Sequence, residues 1–299
     1  MIKSANDAEN RALADELVAL LTVKPLSDDV FAGVTKPDGI GRIYGGQVIA
    51  QALMAAGQTV DADRIPHSLH AYFMRPGAEQ EEVRFKVERD YDGGSFSTRR
   101  VIAIQRDKPI FNLACSFQRP EPGLYHQAQM PDVPPPEALK NETELRADYI
   151  DQIPEKFRAQ FMRLRPIEYR PVQPRAMMLP EKRAPSQQIW FRVVAPITDD
   201  PMMHRAILAY ASDSYLLSTA TLPHGKSWMK GELMSASLDH ALWLHSDARV
   251  DDWLLFTNDS PWSGGARGMN LGAIYTRDGR LVATAAQEGL MRSVTPKTG

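Results

Sequence analysis

Cysteine is almost absent: the 299 residues contain one, Cys115. That scarcity excludes an intramolecular disulfide, a cysteine-based zinc site and a CxxC redox pair, and it suits a reducing compartment. Neither charge is in surplus, since 35 Lys and Arg against 37 Asp and Glu leave a net charge of −2. Nothing in that balance favours nucleic acid or an anionic membrane surface. No apolar run approaches the ~18–20 residues of a membrane helix, so no membrane insertion is expected. The opening "MIKSANDAENRALADELVALLTV" carries acids throughout and lacks a small-residue cleavage site; it reads as an amphipathic helix, not a signal peptide. The closing "KTG" is no peroxisomal address, and cytoplasm is the expected location. No His, Cys, Asp or Glu cluster has metal-ligand spacing, so neither a metal nor another cofactor is expected.

Proline, by contrast, is abundant and unevenly placed. Twelve of the 22 prolines fall between positions 120 and 185, in stretches such as "PDVPPPEA" and "YRPVQP". Proline lacks a backbone N–H and enforces extended or turn geometry, so this region cannot be a continuous helix or central strand. A helical island, "PEALKNETELRADYIDQI", interrupts it. The expected division is a first unit over 1–122, a proline-rich connection over 123–165, and a second unit over 166–299.

The two flanking units resemble one another. The first has "GGQVIAQALMAAGQTV", a small-residue helix opened by Gly45 and Gly46, then the runs "SLHAYFM", "EVRFKV", "STRRVIAIQ" and "PIFNLACSFQ". The second has "HRAILAYASDSYLL", then "SLDHALWLH", "DWLLFT", "LGAIYT" and "LVATAAQ". "LHAYF" (69–73) is read over "DHALW" (239–243), and "RDKPIFNLACSFQ" (106–118) over "RDGRLVATAAQEG" (277–289). Asp278-Gly279 between two strand-like runs signals a hairpin. One helix followed by antiparallel strands, twice over, is an internally duplicated α+β chain.

Asp213 is out of place in its helix. At helical spacing it shares a stripe with Ala206, Ala209, Tyr210 and Leu217, a small apolar surface of the kind a helix buries. A buried carboxylate without partners costs several kcal/mol or takes up a proton. Asp213 therefore needs dedicated partners.

"RIYGGQVIAQAL" (42–53), "PHSLHAYFMRPG" (66–77) and "DGGSFSTRRVIAIQ" (92–105) resemble the acyl-CoA thioesterase II family, which includes bacterial medium- and long-chain enzymes and peroxisomal ones. "LAYASD" (208–213), "SLDHALWLH" (237–245), "SGGARG" (263–268) and "YTRDGRLVATAAQEGLMR" (275–292) are similar to the same family in the same order. The resemblance implies a tandem double hotdog, in which each long helix is wrapped by an antiparallel sheet. It implies hydrolysis of fatty acyl-CoA of medium to long chain, and self-association as a homodimer or homotetramer. The family's catalytic aspartate falls on Asp213, its hydroxyl residue on Ser237 and its glutamine on Gln287. Many bacterial members have Thr where this chain has Ser237.

Those three types suit direct attack by water on a thioester. A carboxylate accepts or pulls on the proton, while a rotatable hydroxyl and an amide hold the water. Neither G-x-S-x-G nor Cys-Gly-Ser-Cys is present, so no covalent acyl-enzyme is expected. The acyl chain would occupy an apolar tunnel lined by parts of "AYASDSYLL" and by the methionine-rich "AMMLP" or "MMH". Arg267 in "SGGARG" is a candidate contact for the coenzyme A phosphates. His240 is read as a packed structural histidine, since adjacent strand residues face opposite ways and Asp239 cannot be its partner. That alternation also sets Ser237 on the face opposite Leu238, Leu242 and Leu244, against its assigned role. His67, His70 and Cys115 are read as structural. An enoyl-CoA hydratase would pair Asp213 with a histidine five residues on, whereas the next one is His224. The competitor of another class is an acyl-CoA-binding protein without catalysis.

Overall fold

Local capping sets the start of the first helix. In the computed structural model, which describes residues 6–35, 41–153, 155–175 and 180–294, Asn6 and Glu9 form a reciprocal capping box at the start of helix α1 (Asp7–Leu21). That box satisfies two N–H groups that a helix start leaves without partners. Strands β1 (Lys24–Ser27) and β2 (Val30–Ala32) follow. The first unit then runs through α2 (Gly45–Gly57), β3 (Ile65–Phe73), β4 (Arg84–Asp92), β5 (Phe96–Gln105) and β6 (Lys108–Gln118). The helical island is broken into short pieces, of which α3 (Glu142–Ala147) is one and α4 (Glu155–Phe161) follows it. The second unit comprises β7 (Ile167–Pro171), β8 (Ser186–Val193), α5 (Pro201–Ser212), α6 (Leu216–Thr219), β9 (Leu233–Ser237), β10 (Asp239–Leu244), β11 (Leu254–Gly264), β12 (Arg267–Thr276) and β13 (Leu281–Ser293). Met177 and Met178 of "AMMLP", and the closing "KTG", lie outside the described residues.

All these strands form one antiparallel sheet in the order β1-β2-β4-β5-β6-β3-β10-β13-β12-β11-β8-β7, with β9 also pairing β13. The order reads alike from both ends, as a duplicated chain requires, and β3 against β10 is the seam. Helices α2 and α5 lie side by side within the curve. The first is buried nearly all round, from Gly46 to Leu53 and again at Ala55 and Ala56, as befits a central helix. Small residues let the two helices touch: a Cβ at Gly46 would stand 2.3 Å from the Tyr210 carbonyl oxygen. Across the seam, buried Arg205 of α5 donates to the Pro66 carbonyl of β3 at 2.8 Å. The proline-rich connection runs along the second unit, where Pro134 accepts from the Trp190 indole at 2.9 Å and Glu137 pairs with Arg277 at 2.7 Å.

Two readings of the sequence need correction. Helix α5 stops at Ser212, leaving Asp213 as its C-cap; Tyr215 has φ 65°, and Leu217 belongs to the separate α6. The overlay of the two units is also one residue out. The register shift that follows Pro66 in β3 recurs after Ser237 at the start of β10, so the two-fold that swaps the units carries Pro66 onto Ser237 and Leu69 onto His240. "LHAYF" thus lies over "HALWL". The first hairpin turns on Arg106 and Asp107, whereas the second carries an extra residue, Gly279, at φ 91°. Cys115, not Ser116, therefore corresponds to Gln287. A slip of one residue exchanges the two faces of a strand, which is why it matters here.

Gly46→Ala is expected to force the two central helices apart and cost about 1–3 kcal/mol, the usual range for overpacking. Chemical denaturation checks this, and an unchanged midpoint would show that the helices are not in contact at Gly46.

Candidate active site

Asp213 stands where three elements converge. It follows the last turn of α5, and its carboxylate points at the start of α2 in the other unit. The residue before that helix, Tyr44, supplies no side-chain cap. Asp213 does so instead, its Oδ2 accepting the Gly46 N–H at 2.9 Å. A helix N-terminus carries unpaired N–H groups and partial positive charge, so a carboxylate is stabilised there. Contact is close enough to demand glycine: a Cβ at Gly45 would lie 2.7 Å from Oδ2. The other oxygen, Oδ1, accepts from Gln287 Nε2 at 2.7 Å. The structure thus joins Asp213 and Gln287 directly.

The turn after Asp213 is pinned by hydroxyls. Tyr169 donates to Ser214 Oγ at 2.8 Å, Ser214 meets Tyr44 at 2.8 Å, and Tyr44 donates to the Tyr210 carbonyl at 3.0 Å. Burial raises the Tyr44 and Tyr169 phenols above their usual range, with Asp213 adding to the effect at Tyr44. Both rings stay protonated and keep their donor roles.

Gln287 lies on the inward face of β13, fully buried. Its amide also donates to His240 Nδ1 at 3.2 Å, and His240 Nε2 meets Ser212 Oγ at 2.9 Å. Ser212 in turn donates to the Ala209 carbonyl at 2.9 Å. Donor and acceptor roles follow along the chain: Ser212 spends its proton on Ala209, so His240 carries its proton on Nε2 and accepts at Nδ1. With Nε2 of Gln287 facing both Asp213 and His240, its Oε1 is a buried acceptor that no donor among the described residues reaches.

Ser237 reaches the same side through a β-bulge. Along β9 it pairs with Gly289, whereas along β10 Ala241 pairs with Ala286, a register change of one. Leu238 and Asp239 together face Glu288, the Leu238 N–H donating to its carbonyl at 3.0 Å and its own N–H donating to Asp239 Oδ1 at 2.6 Å. The extra residue reverses the alternation beyond it. Ser237 consequently faces inward with Gly289, and the conflict between its face and its role disappears. The bulge recurs in the first unit between Pro66 and Ser68. Ser237 lines a cavity of about 350 Å³ with Gly45, Phe73, Ile110, Arg42 and Arg75. Its hydroxyl forms no hydrogen bond among the described residues, and no direct bond joins it to Asp213.

Arg267 is not brought to this cavity. It sits on the outward face of β12, paired with Glu288 at 3.2 Å and lying over the Trp262 ring. Two contributors escaped the sequence reading. One is the Gly46 N–H, for which the Gly45-Gly46 pair was a visible sign. The other is His240, which is packed as expected but bonded to Gln287.

The acyl-CoA thioesterase family matches residues 158–290, and the acyl-CoA thioesterase N-terminal domain matches 35–118. Acyl-coenzyme A thioesterase 8 of Homo sapiens is 39% identical over 92% of this chain and 88% of its own. The chain belongs to the acyl-CoA thioesterase family. Acyl-CoA thioesterase 2 of Haemophilus influenzae is 35% identical over 94% of this chain and 98% of its own. An acyl-CoA thioesterase II from Mycobacterium marinum superposes with a TM-score of 0.76 at 39% identity, covering 93% of this chain and 99% of that one. A hot dog fold protein from Alicyclobacillus acidocaldarius superposes at 0.73 with 18% identity, a likeness of fold alone. The tandem hotdog expected from the sequence is therefore the fold of this acyl-CoA thioesterase, a hydrolase of thioester bonds. No helix among the described residues is long and apolar enough to cross a membrane.

Burial holds His240 below its ordinary range, with the Asp213 charge opposing the shift. The unfolded chain then binds the proton more readily, so the stability from burying neutral His240 is full above about pH 6.5 and declines as pH falls below it. Unfolding midpoints should drop less on acidification in His240→Leu than in the unaltered protein. Identical pH dependence in the two would contradict a neutral buried imidazole.

Proposed function

We propose that this acyl-CoA thioesterase cleaves medium- to long-chain fatty acyl-CoA by direct attack of a water held by Asp213, Gln287 and Ser237. The observation that carries the reading is the buried acceptor Gln287 Oε1 beside a carboxylate whose position is already fixed by two donors. A water placed there donates one proton toward Asp213 and one to Gln287 Oε1, and Ser237 completes its hold. Its oxygen adds to the thioester carbonyl carbon while a proton passes to Asp213. The tetrahedral intermediate then expels the coenzyme A thiolate, which takes up a proton, and the fatty acid leaves.

The thioester is assigned to the wall formed by Gly45 and Ser237. Apolar Ile43, Val48, Phe73, Ile110 and Phe111 of the same cavity receive the chain, while Arg42 and Arg75 offer cations to the phosphates of coenzyme A. Arg267 is less well placed for that task. Among the units 1–122, 123–165 and 166–299, the last supplies the reacting side chains and the first a backbone N–H. Cytoplasmic action and assembly as a homodimer or homotetramer complete the reading, the former supported by the lone cysteine.

Free coenzyme A released from acyl-CoAs of graded length tests this. Asp213→Asn is expected to lower kcat by about 10²–10⁴-fold, the range for loss of a positioned base. A full rate in Asp213→Asn would remove the site. Binding without any release by the unaltered chain would favour a carrier instead.

A further inference from the structure

The duplicated sheet provides an internal control for the site. The inward positions that correspond to Ser237, His240 and Gln287 in the first unit are Pro66, Leu69 and Cys115. None of these does acid–base work there; Leu69 and Cys115 are simply buried side by side across a strand pair. The scaffold therefore folds with an apolar pair at this place and does not need His240 for packing. In the second unit the same place holds an imidazole, 1% exposed, at the cost of burying a polar ring. Such a group is kept when its bonds matter.

Its bonds have one consequence. The Gln287 amide can present either its NH₂ or its oxygen to Asp213, and only the first orientation leaves Oε1 toward a water. Asp213 and His240 Nδ1 both accept from Nε2, at 2.7 and 3.2 Å, and so both enforce that orientation. His240 Nδ1 is an acceptor only because Nε2–H is directed at Ser212 Oγ, whose own proton is committed to Ala209. The geometry points to His240 as a positioning residue for thioester hydrolysis, holding the Gln287 amide, through the Ser212 relay, in the orientation that offers Oε1 to the attacking water. This rests on the water-attack reading above.

The test measures kcat and KM for dodecanoyl-CoA, with thermal midpoints, in His240→Leu, His240→Asn, Ser212→Ala and Asp213→Asn beside the unaltered protein. His240→Leu copies the first unit. It should remain folded, lose about 10–100-fold in kcat as a misplaced group does, and keep KM within about twofold. Asn places an acceptor near the position of Nδ1, so His240→Asn should recover most of the lost kcat. Ser212→Ala should lose several-fold in kcat with KM unchanged. Folded His240→Leu at full kcat, or a His240→Asn no better than His240→Leu, would overturn the assignment. Should His240→Leu not fold, His240→Asn and Ser212→Ala decide: normal KM with kcat lowered in Ser212→Ala and kept in His240→Asn supports the assignment, and full kcat in Ser212→Ala removes the relay. A dead Asp213→Asn beside a fully active His240→Leu would sink this inference alone, whereas a fully active Asp213→Asn would sink the water-attack reading beneath it.

Discussion

The bond from the Gly46 N–H to the Asp213 carboxylate holds the site together. A carboxylate at the end of its own helix faces that helix's negative pole, an unfavourable place for it. It is tolerated because the start of the other central helix stands opposite and lacks a cap of its own. One interaction thereby satisfies a helix terminus, offsets the burial of a charge and fixes the position of the Asp213 carboxylate. It also requires both units. Glycine at 45 and 46 is the condition for that approach, since a Cβ at either place would meet Asp213 or the Tyr210 backbone.

The two units share a scaffold and differ in the side chains set on it. The sheet repeats its strand order and even its bulge, so equivalent positions face the same way in both units. What differs is the side chains placed there. Pro66, Leu69 and Cys115 give the first unit an apolar interior, and burial pushes the Cys115 thiol well up, so that it stays protonated and inert. Ser237, His240 and Gln287 turn the matching place in the second unit into a hydrogen-bonded site. The first unit reaches that place through the start of α2, where the Gly46 N–H meets Asp213.

Much of the fold was legible in the sequence because it follows from pattern. Small-residue helices, alternating strands and a hairpin at Asp278-Gly279 are local signals, and their recurrence showed the duplication. Asp213 was legible too, as a charge on an apolar stripe. Features that depend on a count of one were not. The bulge at Leu238 and the extra turn residue Gly279 each shift a strand by one position, and neither has a composition of its own. That is why Ser237 first fell on the wrong face, and why Gln287 was set over Ser116 and not Cys115. His240 escaped because its partners, Gln287 and Ser212, lie far from it in sequence, and its neighbour Asp239 serves the bulge instead.

In the proposed reaction Asp213 polarises a water and is not itself the nucleophile. A single turnover in ¹⁸O-labelled water, with enzyme in excess over acyl-CoA, tests it most directly by mass spectrometry of both the released acid and the Asp213 peptide. Attack by water puts one ¹⁸O in the fatty acid on the first turnover and none in Asp213. Label in the aspartate, or an acyl group covalently attached to the quenched chain, would contradict it.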